Sequence, residues 1–168
     1  MTLADTASDT ATAVKCGLAG EVLRSFGSLR FVATGWSMLP AVWPGDTLIV
    51  DRISPEQVRV GDVVLIGRAG RLCAHRVVST PADSGTTHWM TRGDAMTAPD
   101  RPAIESELLG RVSYLIRDGR LVAVGAELSV VERLLAKIIR RSTPAARALV
   151  YLQGRVQPPK ESVITCQS

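Results

Sequence analysis

Lysine is nearly missing from this chain. Its three copies are Lys15, Lys137 and Lys160, and none falls between residues 16 and 136. Chemistry in that stretch that needs a base must use another side chain, which argues against a serine–lysine dyad there. Histidine is as scarce, with only His75 and His88. Aromatic residues make up 4%, so a core must be built from Val, Leu, Ile and Ala. The three cysteines, Cys16, Cys73 and Cys166, are scattered and odd in number. They give no disulfide framework and fit a reducing compartment. The first thirty residues hold no apolar run of the roughly 20 residues that span a bilayer. The opening Met1-Thr2-Leu3-Ala4-Asp5-Thr6 also lacks the basic start of a secretory signal. Together these absences predict a soluble, cytoplasmic protein.

What is present is a globular composition. The chain has 168 residues, of which 46% are hydrophobic and 21% charged. That is enough to bury a core and to exclude a wholly disordered chain. The net charge of +4 is uneven. Arg133, Lys137, Arg140, Arg141, Arg147, Arg155 and Lys160 face only Glu127 and Glu132 between residues 127 and 160. This cluster reads as a solvated helix face, with weak contact to an anionic membrane surface as its second use. No nucleic-acid partner is expected, and the cluster does not set the oligomeric state.

The order of elements is β-rich between two helical ends. Residues 1–12 are rich in Thr, Ala and Asp and are expected to be mobile. Val14, Leu18, Val22 and Phe26 recur every four residues and predict a short helix over 13–26, ended by Gly27-Ser28. Strands are predicted near 29–34, 46–52, 62–68, 71–79, 87–92, 108–117 and 120–125, each bounded by Gly, Pro or Asp. Arg68-Ala69-Gly70-Arg71 and Arg117-Asp118-Gly119-Arg120 read as hairpin turns, the second more strongly for its Asp-Gly pair. Seven closely spaced strands predict a mainly β fold, a compact barrel or sandwich of largely antiparallel strands. Val131, Leu134, Leu135 and Ile138 form the apolar stripe of a basic C-terminal helix. Pro144 breaks it, 145–153 is read as a further helix, and the end from Gln157 onward as loose. The expected divisions are 1–28, 29–125 and 126–168.

One serine lies where a nucleophile belongs. Gly35-Trp36-Ser37-Met38-Leu39-Pro40 places Ser37 in a Gly/Pro-bounded turn straight after an apolar strand, and Pro44-Gly45-Asp46 leads into the next. A serine hydroxyl needs a neighbour to take its proton. His75, in Leu72-Cys73-Ala74-His75-Arg76-Val77-Val78, shares a strand face with Cys73 and Val77 and is predicted to point inward. Burial there favours the neutral ring that a general base requires. His88 follows a polar turn and is expected to be exposed. Cys73, His75 and His88 lack the paired spacing of a zinc site, so no metal or other cofactor is assigned. A catalytic histidine also wants a carboxylate. The segment Thr91-Arg92-Gly93-Asp94 to Asp100 offers both Asp94 and Asp100.

Taken in order, Ser37-Met38 with Pro40, Pro44-Gly45-Asp46, Val60-Gly61-Asp62-Val63-Val64, Ala74-His75-Arg76-Val77-Val78 and Thr91-Arg92-Gly93-Asp94 with Asp100 resemble the signal peptidase I family. That family shares a superfamily with LexA-type self-cleaving repressors, and the match covers about residues 30–116. The His-Arg-Val context resembles the endoplasmic-reticulum and archaeal branch, which uses histidine where most bacterial members use lysine. The resemblance implies a serine endopeptidase that cleaves a leader-like segment from a peptide or protein precursor. Ser37 would attack, His75 would relay the proton, and Asp100 would be the third member, with Asp94 supporting the site or sharing that role. Met38 would pack beside the nucleophile, and the Ser37 backbone N–H would bind the oxyanion. Signal peptidases usually carry Ser-Gly before the nucleophile, where this chain has Gly35 and Trp36. With no anchor expected, the resemblance implies a soluble relative with a preference for small residues before the cut. A LexA-type self-cleaving regulator and a peptide-binding β domain without catalysis are the competing readings.

Overall fold

The computed structural model describes residues 3–85 and 88–141. Helix α1 (Leu3–Phe26) leads into strands β1 (Ser28–Val32), β2 (Thr47–Asp51), β3 (Val63–Arg68) and β4 (Arg71–Ser79). A single turn of helix, α2 (Pro81–Ser84), precedes β5 (Met90–Arg92), β6 (Leu108–Arg117) and β7 (Arg120–Ala123), and helix α3 (Val130–Arg141) follows. The seven strands form one antiparallel sheet in the order β1-β2-β6-β3-β4-β5, with β7 added on β6. The mainly β architecture expected from the alternating apolar runs is therefore present.

Both predicted hairpins close with two residues in the left-handed region. Ala69 and Gly70 have φ of 48° and 76°, and Asp118 and Gly119 have 51° and 75°. Positive φ at both central positions matches the twist of the flanking strands, which is why Gly occupies the second position in each.

Period-two alternation sorts the strands onto two apolar layers. On one face Leu29, Leu48, Val50, Val63, Leu65, Val112 and Leu115 pack against α1. On the other, Val64, Ile66 and Val77 pack with Val58, Trp89 and Ala103. Burying a side chain of this size stabilises the fold by about 1.5–3 kcal/mol.

Two expectations about the helices need correction. The segment 1–12, expected to be mobile, is helical from Leu3 onward, in keeping with the helix propensity of its alanines. The inward face of α1 is also not the stripe Val14, Leu18, Val22 and Phe26. Val14, Leu18 and Phe26 are exposed, and Ala19, Val22 and Leu23 are buried. Gly20 lies on the buried face, where an added Cβ would make an ordinary contact with Leu109 at 3.6 Å.

The same correction applies to α3. Val131, Leu134 and Ile138 of the expected stripe are exposed and Leu135 is half-buried, while Ala136 and Ile139 are buried. The helix carries two apolar arcs, and the one holding the small Ala136 faces the protein. The predicted helix over 145–153, the loose end, and the basic residues Arg147, Arg155 and Lys160 lie outside the described residues. Among those described, no helix is long and apolar enough to cross a membrane.

Candidate active site

Ser37 sits on an excursion of chain closed at its neck by backbone bonds. Ala33 N–H donates to the Asp46 carbonyl at 2.9 Å, and Gly45 N–H donates to the Ala33 carbonyl at 2.7 Å. Inside the excursion Met38, Leu39 and Val42 are buried, while Ser37 is half-buried. The Pro44-Gly45-Asp46 motif supplies a clamp. The buried Asp46 carboxylate accepts from Trp43 N–H at 2.7 Å and from Arg117 at 3.0 and 2.6 Å. Arg117 also donates to the Ala41 carbonyl at 3.0 Å, so one guanidinium ties the turn to β6.

The loop after β5 closes over Ser37 from the other side. Ala95 N–H donates to the Ser37 carbonyl at 2.9 Å. At Gly93 an added Cβ would lie 2.5 Å from that carbonyl oxygen, so only glycine allows the approach. Ile139 of α3 then packs with Leu39, Ala95, Trp43 and Met96, bracing the Ser37 turn and the loop together. The sequence reading did not single out Ile139 or Ala136. Their signal was the second apolar arc of α3.

His75 projects from β4 on the same face as Cys73 and Val77, as the alternation predicts, and is 7% exposed. Its Nε2 lies 2.9 Å from Ser37 Oγ, and its Nδ1 lies 2.5 Å from Asp100 Oδ2. The same Asp100 oxygen accepts from Thr91 Oγ1 at 2.8 Å. With Nδ1–H donating to the carboxylate, the neutral ring presents its Nε2 lone pair to the serine. Cys73 Sγ stands 3.2 Å from the same Nε2, a contact the sequence hinted at only through the shared strand face.

The charges favour the protonated ring instead, against the expectation that burial keeps it neutral. Burial pulls the His75 pKa down and is the largest single influence. Hydrogen bonds to Asp100 and Cys73, with their charge interactions, outweigh it and raise the pKa from 6.5 to about 9. Asp100 moves the other way. Burial raises it, but hydrogen bonds from His75 and Thr91 and the charges of His75 and Arg68 leave it below its ordinary value. The two shifts describe one coupling, a carboxylate holding a proton on the ring that faces the serine.

Asp94 takes a different place. It is buried, and both its oxygens accept from Arg76, each at 2.9 Å. Arg76 in turn donates to the carbonyls of Gly61, at 2.8 Å, and Gly125, at 2.7 Å. Of the two carboxylates left open by the sequence, Asp100 bonds to the histidine and Asp94 secures neighbouring chain segments. His88, expected to be exposed, is half-buried just ahead of β5.

Backbone donors surround the serine. The N–H groups of Gly35, Trp36, Ser37 and Met38 make no hydrogen bonds among the described residues. A Cβ at Gly35 would meet nothing within 4 Å, so the turn has room for a side chain there. Trp36, next to Ser37 in the chain, is 39% exposed. The arrangement can lower the cost of deprotonating Ser37 and can offer backbone N–H groups to a developing oxyanion. Compared with known proteins, the chain matches no family model, no curated protein and no solved structure.

Proposed function

We propose that this protein is a serine endopeptidase that removes a leader-like segment from a peptide or protein precursor. The observation that carries the reading is the chain of contacts from Ser37 Oγ through both nitrogens of His75 to Asp100, at 2.9 and 2.5 Å. In this mechanism Ser37 Oγ attacks the scissile carbonyl carbon as its proton passes to His75 Nε2. Asp100 steadies the resulting imidazolium, and backbone N–H groups of the nucleophile turn, that of Ser37 first, hold the oxyanion. Collapse of the tetrahedral intermediate breaks the C–N bond, and His75 gives its proton to the leaving amine. Water then attacks the acyl-enzyme with His75 again as base, which releases the new carboxyl terminus and restores Ser37.

Peptides with small residues before the cut are the expected substrates. The test pairs hydrolysis of such peptides with labelling by a serine-reactive fluorophosphonate. Cleavage and labelling of Ser37 should be present in the native protein and lost in Ser37→Ala and His75→Ala. Full activity in His75→Ala would overturn the mechanism. Peptide binding with neither cleavage nor labelling would favour a non-catalytic β domain. A discrete self-cleavage product on incubation of the purified chain would favour the self-cleaving regulator.

A further inference from the structure

We infer that the cleft beside the triad is a subsite for an acidic side chain of the substrate, an inference that rests on the peptidase reading. The cleft has a volume of about 350 Å³. Ile66 and Cys73 form part of its lining, Asp100 marks its catalytic end, and Arg68, Arg71 and Arg101 also line it. Three arginines around a space of that size are an unusual wall for a site that would otherwise only need to admit small apolar residues.

The three arginines are not equivalent. Arg68 is fixed. It donates to both oxygens of Glu107 at 2.7 and 2.5 Å, to the Arg101 carbonyl at 2.9 Å and to the Pro102 carbonyl at 2.7 Å. That pairing holds the Glu107 carboxyl well below its usual range, at about 2, chiefly through the hydrogen bond from Arg68. Arg101 is 73% exposed and only 3.5 Å from Glu107, a loose rim contact. Arg71 is exposed at the β3–β4 turn, and its side chain has no hydrogen bond or ion pair among the described residues. Glu107 offsets one of the three guanidinium charges and Asp100 is matched by the His75 ring, itself charged below about 9, so two are left over. Asp100 is already engaged by His75 and Thr91. The surplus charge therefore lies at the rim, on the flexible Arg71 and Arg101. A substrate carboxylate reaching the cleft can gain charge-assisted, bidentate hydrogen bonds there. A lysine in its place meets like charge. The expected preference is about tenfold for Glu over Gln at the substrate position that enters the cleft, with Lys poorer than both.

Cys73 makes the field measurable without peptidase activity, because its thiol lines the same cleft. Iodoacetate and iodoacetamide alkylate a thiol by the same displacement of iodide and differ in charge. The rate ratio of the two reagents at Cys73, read by mass spectrometry of the Cys73 peptide, reports the charge of the cleft. In the native protein at low salt, iodoacetate should be favoured several-fold relative to Arg71→Gln and to the Arg71→Gln/Arg101→Gln double variant. Added salt should reduce the native ratio toward theirs. In parallel, kcat/KM is measured on small-residue peptides carrying Glu, Gln or Lys at each position within three residues of the cut. The expected result is a Glu preference at one position, carried mainly in KM and lost in Arg71→Gln, in which the Glu and Gln peptides are cleaved with equal kcat/KM. A reagent ratio unchanged by the substitutions, or no alkylation of Cys73 by either reagent, overturns the acidic subsite even if peptides are cleaved. A charge-dependent ratio in a protein that cleaves nothing would keep the carboxylate site and remove the peptidase reading.

Discussion

Asp100→Asn should separate the two effects that meet on His75. In the native protein His75 is raised from 6.5 to about 9. A change of that size corresponds to about 3 kcal/mol in favour of the charged ring. Only the neutral ring can take the Ser37 proton, so at pH 7 roughly 1% of the free protein holds a ready base. The native kcat/KM should therefore climb about tenfold per pH unit from acid up to pH 9 and level off above it. Stability runs in the opposite direction. A raised folded-state pKa contributes stability that is fully present below pH 6.5 and is lost as the pH rises through about 9. Removing the carboxylate leaves burial, the strongest influence on the ring, opposed by Cys73 alone. The activity midpoint should then fall to 6.5 or below, and the plateau should drop by about 10⁴-fold as the imidazolium loses its partner. Initial rates on a small-residue fluorogenic peptide from pH 5 to 10, with thermal unfolding by circular dichroism at each pH, measure both. An Asp100→Asn midpoint that stays near the native one would refute the coupling, as would a native midpoint at 6.5 with melting independent of alkaline pH.

Three further outcomes test how the site is held. Ile139→Ala should cost about 2–5 kcal/mol in urea unfolding, and Ile138→Ala, one residue away but exposed, no more than about 0.5 kcal/mol; equal costs would mean that α3 faces the protein with another arc. Gly93→Ala forces a Cβ to within 2.5 Å of the Ser37 carbonyl oxygen and should lower kcat/KM about 100-fold by displacing the nucleophile. Gly35→Ala, which meets open space, should leave kcat/KM within about twofold. Arg117→Met strands the Asp46 carboxylate, only 4% exposed, and should destabilise the fold by about 3–5 kcal/mol. Pairing it with Asp46→Asn should recover much of that loss in the same denaturation assay.

By itself the sequence determined the elements and the cast of the site. Alternation of apolar and polar residues is a local property, so the strands fell close to where β1 to β7 lie. The two hairpin turns were legible because positive φ favours Gly and Asp. The near absence of lysine and histidine also made His75 the natural base for Ser37 before any contact was known. Tertiary structure decided what depends on residues far apart in the chain. As residues alone Asp94 and Asp100 are equivalent, six positions apart, and only the family resemblance favoured Asp100. Only the pairing of β4 with β5 and the path of the loop after it send one carboxylate to Arg76 and the other to His75. The inward faces of α1 and α3 were likewise undetermined, because each helix carries more apolar surface than it can bury. Which face turns inward, Ala19, Val22 and Leu23 of α1 and Ala136 and Ile139 of α3, is a packing choice that exists only once the sheet and the Ser37 turn are in place to pack against.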